Sequence, residues 1–157
     1  LFMNSTTNSY SRFGEHLAPK YVTWTHNNYA QLMRAPVNGS EENEIILRSA
    51  DNTCNPYFAL GLLIYAGMKG VGDSAELCEP ADFDLHKVGE EVLAGFEKLP
   101  LTLEEAVSSA EDSEFLKEHL PERVLESYIS MKRADWNDYV NAQDKEIYES
   151  VKYFYTL

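Results

Sequence analysis

From Tyr57 to Met68 the chain runs through twelve residues without a single charge. Asn55, just ahead, suits an N-cap, because its side-chain oxygen accepts from an early helical N–H. Pro56 suits the first helical position, where its missing N–H costs nothing. The pattern predicts a helix that begins at Pro56 and closes where Gly70 supplies a left-handed residue. With no polar face, this helix is expected to be buried on nearly every side. Gly61 and Gly67 each cost about 1 kcal/mol against alanine inside a helix, which implies that another backbone approaches closely there.

Ahead of the helix the period is two. Tyr21-Val-Thr-Trp-Thr25 alternates bulky and small side chains and reads as a strand. Gln31 to Pro36 reads as a second strand, antiparallel to the first, and Glu44 to Ser49 as a third. Asn38-Gly39-Ser40 is turn chemistry between them. On the third strand Glu44, Ile46 and Arg48 share one face. Residues 1–20 are polar and turn-rich and read as a loop.

Behind the helix the chain is helical and acidic. Val71 to Asp84 reads as irregular and His86 to Leu99 as a short helix stopped by Pro100. Thr102-Leu-Glu-Glu105 has capping-box form, Ser113 caps a further short helix through His119, and Pro121 opens the longest one. The aromatic tail, Tyr148 to Leu157, must dock either on its own domain or on a neighbouring subunit. The expected fold is α+β, a small antiparallel sheet followed by a largely helical half, in one domain spanning 1–157.

Charge changes this picture in one respect. Residues 1–70 balance to zero, so the whole net charge of −13 falls on 71–157. That half should repel nucleic acid and anionic membranes, and any anion site belongs in the first half. The apolar run is too short to span a bilayer. No signal-peptide pattern opens the chain; beginning Leu1-Phe2-Met3, it is expected to be a piece of a longer protein. Cys54 and Cys78 have no metal or redox spacing and read as thiols in a reducing cytosol. Asn4 and Asn38 stand in sequons read as chance.

Candidate chemistry is sparse. His16, His26, His86 and His119 are scattered and read as structural or solvated, and no glycine-rich phosphate loop occurs. Three arginines, Arg12, Arg34 and Arg48, stand in the charge-poor half. A guanidinium fork suits bidentate binding of carboxylate or phosphate, although three unrelated arginines, taken by themselves, read first as structural ion pairs.

Thr6-Thr-Asn-Ser-Tyr-Ser-Arg12, Leu17-Ala-Pro19, Arg34-Ala-Pro36, Arg48-Ser-Ala-Asp51 and Asn55-Pro-Tyr57 follow one another in this order, with Leu103-Glu-Glu-Ala and Glu114-Phe-Leu behind them. Taken together they resemble the C-terminal part of the glutamine synthetase catalytic domain, over essentially the whole chain. The resemblance implies ATP, with Mg or Mn, phosphorylating the γ-carboxylate of glutamate, and ammonia displacing the phosphate. It places Arg12 and Arg48 where the family holds glutamate and its phosphorylated carboxyl, and Arg34 where it contacts nucleotide phosphate. It further implies a cytoplasmic protein assembled in rings, binding neither nucleic acid nor membrane.

The departures are as specific. Leu17 stands at the flap-glutamate position, with Glu15 as the nearby substitute. Tyr29 replaces a phosphate-binding arginine. Ile46 stands at the metal-glutamate position, and an isoleucine offers no oxygen to a hard cation. A two-residue slip would bring Glu44 to that position but would move Arg48 away. Phe83 stands where some bacterial relatives carry a nucleotide-modified tyrosine, so that regulation is not expected. The remaining ligands of the family lie upstream, so the chain alone is expected to be incomplete and inactive and to hold neither ATP nor Mg or Mn tightly, these being implied for the longer protein. A catalytically degenerate relative and a ligase for another amine are the alternatives. The three guanidinium groups are expected to converge on a common hollow.

Overall fold

A computed structural model describes residues 1–35, 44–85 and 87–155. The expected turn at Asn38 to Ser40 and the side chain of His86 lie outside the described residues. The chain divides into two compact units: Leu1–Ser11, Asp51–Ser74 and Pro100–Leu157 form the first, and Arg12–Ala50 with Ala75–Leu99 the second.

The first unit is helical. Helix α1, Pro56–Gly72, starts as expected, with the Asn55 side chain accepting from the Tyr57 N–H at 2.9 Å. Its end and its surroundings correct the sequence reading. The helix passes through Gly70 and is capped by Asp73 in right-handed geometry, and the left-handed residue that follows it is Ser74, at a φ of 50°, rather than a glycine. Only Ala59 and Leu62 are buried, while Tyr57, Leu60, Ile64, Met68 and Val71 stand 61–88% exposed. Among the described residues, nothing outside the helix's own backbone and the adjoining residues lies within 4 Å of where a Cβ would be at Gly61 or Gly67, so none of them makes the expected close backbone approach. An uncharged run shows that no face prefers water; it does not supply a cover for each face.

The core of this unit lies between α3 (Leu103–Glu111) and α5 (Glu122–Asn141), where Leu103, Ala106, Val107, Leu125 and Ile129 are buried. Thr102 caps α3 by accepting from the Glu105 N–H at 3.1 Å, and the Glu105 carboxylate reaches back to the Leu101 N–H at 2.8 Å, one residue beyond the expected capping box. Ser113 caps α4 (Glu114–His119). Phe2 stacks on Tyr128 at 4.5 Å and meets Phe58 edge-on at 5.6 Å, which brings the N-terminal segment onto α5 and α1. The expected N-terminal loop contains a 3-10 turn, Thr7–Tyr10. After α6 (Lys145–Glu149) a π-helical turn, Ser150–Phe154, brings Tyr153 inside, where its hydroxyl accepts from the Thr7 N–H at 3.3 Å. The tail therefore docks on its own unit through Tyr153, leaving Phe154 and Tyr155 exposed. Among the described residues no helix is long and apolar enough to cross a membrane.

The second unit carries the sheet: β1 (Trp24–Thr25), β2 (Met33–Arg34) and β3 (Ile46–Leu47), in that order. The β2–β3 pair is antiparallel, as expected, but β1–β2 is parallel, with Met33 and Ala35 N–H groups donating to Thr23 and Thr25 carbonyls at 3.1 and 2.9 Å. The sheet is mixed because the chain between β1 and β2 loops back to run alongside β1 rather than folding as a hairpin. The short helix expected over His86 to Leu99 shrinks to α2, Glu90–Leu93.

Candidate functional site

Arg34 occupies the middle strand, opposite Thr25 on β1 and Ile46 on β3. Arg48 lies one residue beyond β3, and its N–H donates to the Leu32 carbonyl at 2.9 Å, which continues the ladder and fixes its backbone beside β2. The loop after β1 is closed by its own side chains: Thr25 Oγ1 accepts from the Asn27 and Asn28 N–H groups at 3.3 and 3.2 Å, and Asn28 Oδ1 accepts from the Ala30 N–H at 2.9 Å. Such side-chain-closed turns hold a loop without a ladder. Here the loop presents Tyr29.

The Tyr29 ring lies 4.5 Å from the Arg34 guanidinium carbon and 5.4 Å from that of Arg48, so the two cations are at most about 10 Å apart. Arg12 joins them through the backbone. It donates Nη1 to the Arg48 carbonyl at 3.4 Å and Nη2 to the Ser49 carbonyl, while its guanidinium sits 4.7 Å from the Phe13 ring. The loop that follows is tight, with Glu15 N–H donating to the Arg12 carbonyl at 3.0 Å and Gly14 at a φ of 84°. The three arginines lie in one unit, Arg34 and Arg48 on a shared ring and Arg12 on backbone carbonyls, but none of the described grooves is lined by them, so the expected common hollow is not among those described.

Neither Arg34 nor Arg48 forms an ion pair among the described residues, and the Nε of each is buried without a hydrogen-bond partner there. A buried donor left unmatched costs about 1–3 kcal/mol, and two like charges on one ring add repulsion. An anion with several acceptor oxygens would relieve both, so the residues present fit a phosphate or carboxylate group.

They do not fit a metal ion. Among the described residues no three His, Cys, Asp or Glu side chains gather. Ile46 packs opposite Arg34 and brings no ligand, and Glu44 is exposed. Leu17, expected at the flap position, is 55% exposed, and Glu15 beside it is exposed too, in no ion pair among the described residues.

Two residues that sequence reading passed over hold the site's scaffold. Gln31 is fully buried; its carbonyl oxygen accepts from Thr23 Oγ1, and its NH2 donates to the Ala81 and Phe83 carbonyls at 3.0 and 3.3 Å. Asp82 accepts at Oδ1 from Thr25 Oγ1 (2.6 Å) and the His26 N–H (2.7 Å), and pairs at Oδ2 with His26 Nδ1 (2.5 Å). Its carboxyl pKa falls to about 2, first through the Thr25 hydrogen bond and then through those from His26. Segment 81–83 thereby clamps the strand that faces Arg34. A polar residue opening an expected strand was the local sign of Gln31, and a carboxylate in an irregular stretch that of Asp82.

The described grooves lie elsewhere. In the second unit a hollow of about 240 Å³ is lined by Lys20, Tyr21, Ala30 and Leu85, and in the first a groove of about 830 Å³ by Glu111, Lys117, Glu126 and Arg133. The two cations of the larger groove are already matched, Arg133 with Glu111 at 2.6 Å and Lys117 with Glu114 at 2.7 Å.

Comparison with known proteins gives this geometry a context. The family described as glutamine synthetase, catalytic domain, matches residues 1–150. The glutamine synthetase of Methanosarcina mazei is 33% identical over 139 residues, covering 87% of this chain and 31% of that protein. That of Rhizobium meliloti is 36% identical over 143 residues, covering 87% and 32%. A solved structure of GmaS in complex with ADP, conformation 1, superposes with a TM-score of 0.76 at 26% identity, over 98% of this chain and 35% of that one. The chain spans about a third of the length of the curated relatives it matches.

Proposed function

The chain belongs to the glutamine synthetase catalytic-domain family, and on that premise we propose that it supplies the C-terminal part of an ATP-dependent carboxylate–amine ligase site. The reaction is phosphorylation of the glutamate γ-carboxylate by ATP, followed by displacement of the phosphate by ammonia. One observation carries this reading: two neighbouring guanidinium groups, each with a buried unmatched Nε, have no carboxylate partner among the described residues. In phosphoryl transfer negative charge gathers on the transferred group, and fixed cations stabilise it more than they stabilise the ground state.

Arg48 binds the glutamate carboxyl that becomes phosphorylated, with Arg12 holding the backbone beside it and contributing to the same substrate. Arg34 binds nucleotide phosphate. The family uses a divalent metal with ATP, but this chain contributes no ligand set for one among its described residues, so no step is assigned to a metal here. The chain by itself is incomplete and inactive. The longer protein is cytoplasmic, takes glutamate and ATP, assembles in rings and binds no nucleic acid.

Ile46 and Leu17 favour a second reading, in which the parent keeps the scaffold and has lost turnover, or has exchanged ammonia for another amine. The γ-glutamyl hydroxamate assay separates these readings. The chain alone is expected to give no product from glutamate, ATP, Mg²⁺ and hydroxylamine. A ligase parent gives product and loses about 100- to 1,000-fold in kcat on Arg48→Ala. Sustained turnover by the chain alone refutes its incompleteness, and a silent parent establishes the degenerate reading.

A further inference from the structure

Tyr29 stands where two like charges need a reason to be close. Its ring is 4.5 Å from one guanidinium carbon and 5.4 Å from the other. Among the described residues neither arginine has a carboxylate to balance it. The electron-rich face of a tyrosine attracts a cation without neutralising it. A carboxylate in the same place would fill the donors of both arginines; an aromatic ring takes up none of their N–H groups, and the Nε of each stays unmatched. The ring is also steered from behind, since the Asn28 side chain closes the backbone turn on either side of Tyr29 and donates Nδ2 to the Phe83 carbonyl at 2.8 Å.

The geometry points to Tyr29 as a positioning residue, one that holds Arg34 and Arg48 as a spaced pair, so that the phosphate on Arg34 and the carboxyl phosphorylated on Arg48 lie side by side, two linked anionic groups for which pyrophosphate is the probe. This rests on the anion-binding reading of the arginines and deepens it. The ring face does the positioning, not the hydroxyl. Tyr29 is half exposed and its removal opens no core.

The test is calorimetric titration of the 157-residue chain with inorganic pyrophosphate at fixed ionic strength, for wild type and for Tyr29→Phe, Tyr29→Leu and Arg48→Ala. Tyr29→Phe keeps the face and is expected to bind within about twofold of wild type. Tyr29→Leu keeps bulk without the face and is expected to weaken binding about 3- to 10-fold, in line with the loss of two partly exposed cation–π contacts. Its melting temperature should stay unchanged. Equal affinity in wild type and Tyr29→Leu, with Arg48→Ala defective, overturns the role of Tyr29 and leaves the anion site standing. Wild type that binds no pyrophosphate, or binds it as well as Arg48→Ala does, overturns the anion site itself. A Tyr29→Phe variant as weak as Tyr29→Leu overturns the assignment to the ring face.

Discussion

Gln31→Leu tests the scaffold of the site at its most buried polar point. Leucine nearly matches glutamine in volume, so the change leaves little cavity and isolates the polar loss. In the wild type the Gln31 amide satisfies the Ala81 carbonyl at 3.0 Å and the Thr23 hydroxyl, and shares the Phe83 carbonyl with Asn28. After substitution the Phe83 carbonyl keeps Asn28, and the Thr23 hydroxyl retains only a 3.4 Å contact with the Tyr21 carbonyl. The Ala81 carbonyl loses the one side-chain partner described for it. One buried acceptor orphaned and one hydroxyl poorly matched, at about 1–3 kcal/mol for a full orphan, give an expected loss of about 2–4 kcal/mol. Urea unfolding followed by ¹⁹F NMR of 5-fluorotryptophan resolves Trp24, in the affected unit, from Trp136 in the other. The Trp24 midpoint should fall and the Trp136 midpoint should move less. A loss below about 1 kcal/mol at Trp24 would show that water or the leucine repacking satisfies these groups, and that Gln31 does not hold the scaffold.

Three further outcomes are expected. Leu103→Ala, at a fully buried position between α3 and α5, should cost about 2–5 kcal/mol in chemical denaturation, whereas Leu60→Asp on the exposed stripe of α1 should stay within about 0.5 kcal/mol; equal effects would contradict the exposure of that stripe. Because the Asp82 carboxyl is depressed to about 2 from an ordinary 3.8, its contribution is present above the ordinary value and lost as pH falls towards about 2. Trp24, whose indole N–H donates to the Cys78 carbonyl at 2.7 Å, should report that loosening by fluorescence, and Asp82→Asn should remove the acid transition; a transition of the same amplitude in the variant would assign it elsewhere.

What the sequence made legible was local. Asn55-Pro56, Thr102 and Ser113 each announce a helix start through a side chain and an N–H two or three residues away, and all three caps form. Kinship was legible too, through motif blocks whose order survives. The cover of α1 was not, since Tyr57 to Met68 reads the same whether its faces are packed or bare. The parallel β1–β2 pair was missed because two-residue strands carry no signal of direction. Gln31 needs a partner fifty residues away in sequence, and Tyr29 needs β2 and β3 paired before its two arginines become neighbours.

The central claim is that Arg34 and Arg48 keep buried Nε–H donors ready for an anion. Arginine side-chain ¹H–¹⁵N resonances of the 157-residue chain, followed during pyrophosphate addition, test it directly. Saturable shifts of the Arg34 and Arg48 Nε–H signals, with the Arg34 shift weakened in Arg48→Ala, are the predicted result; Nε–H signals that stay fixed, or that drift linearly together with those of Arg123 and Arg133, would contradict it.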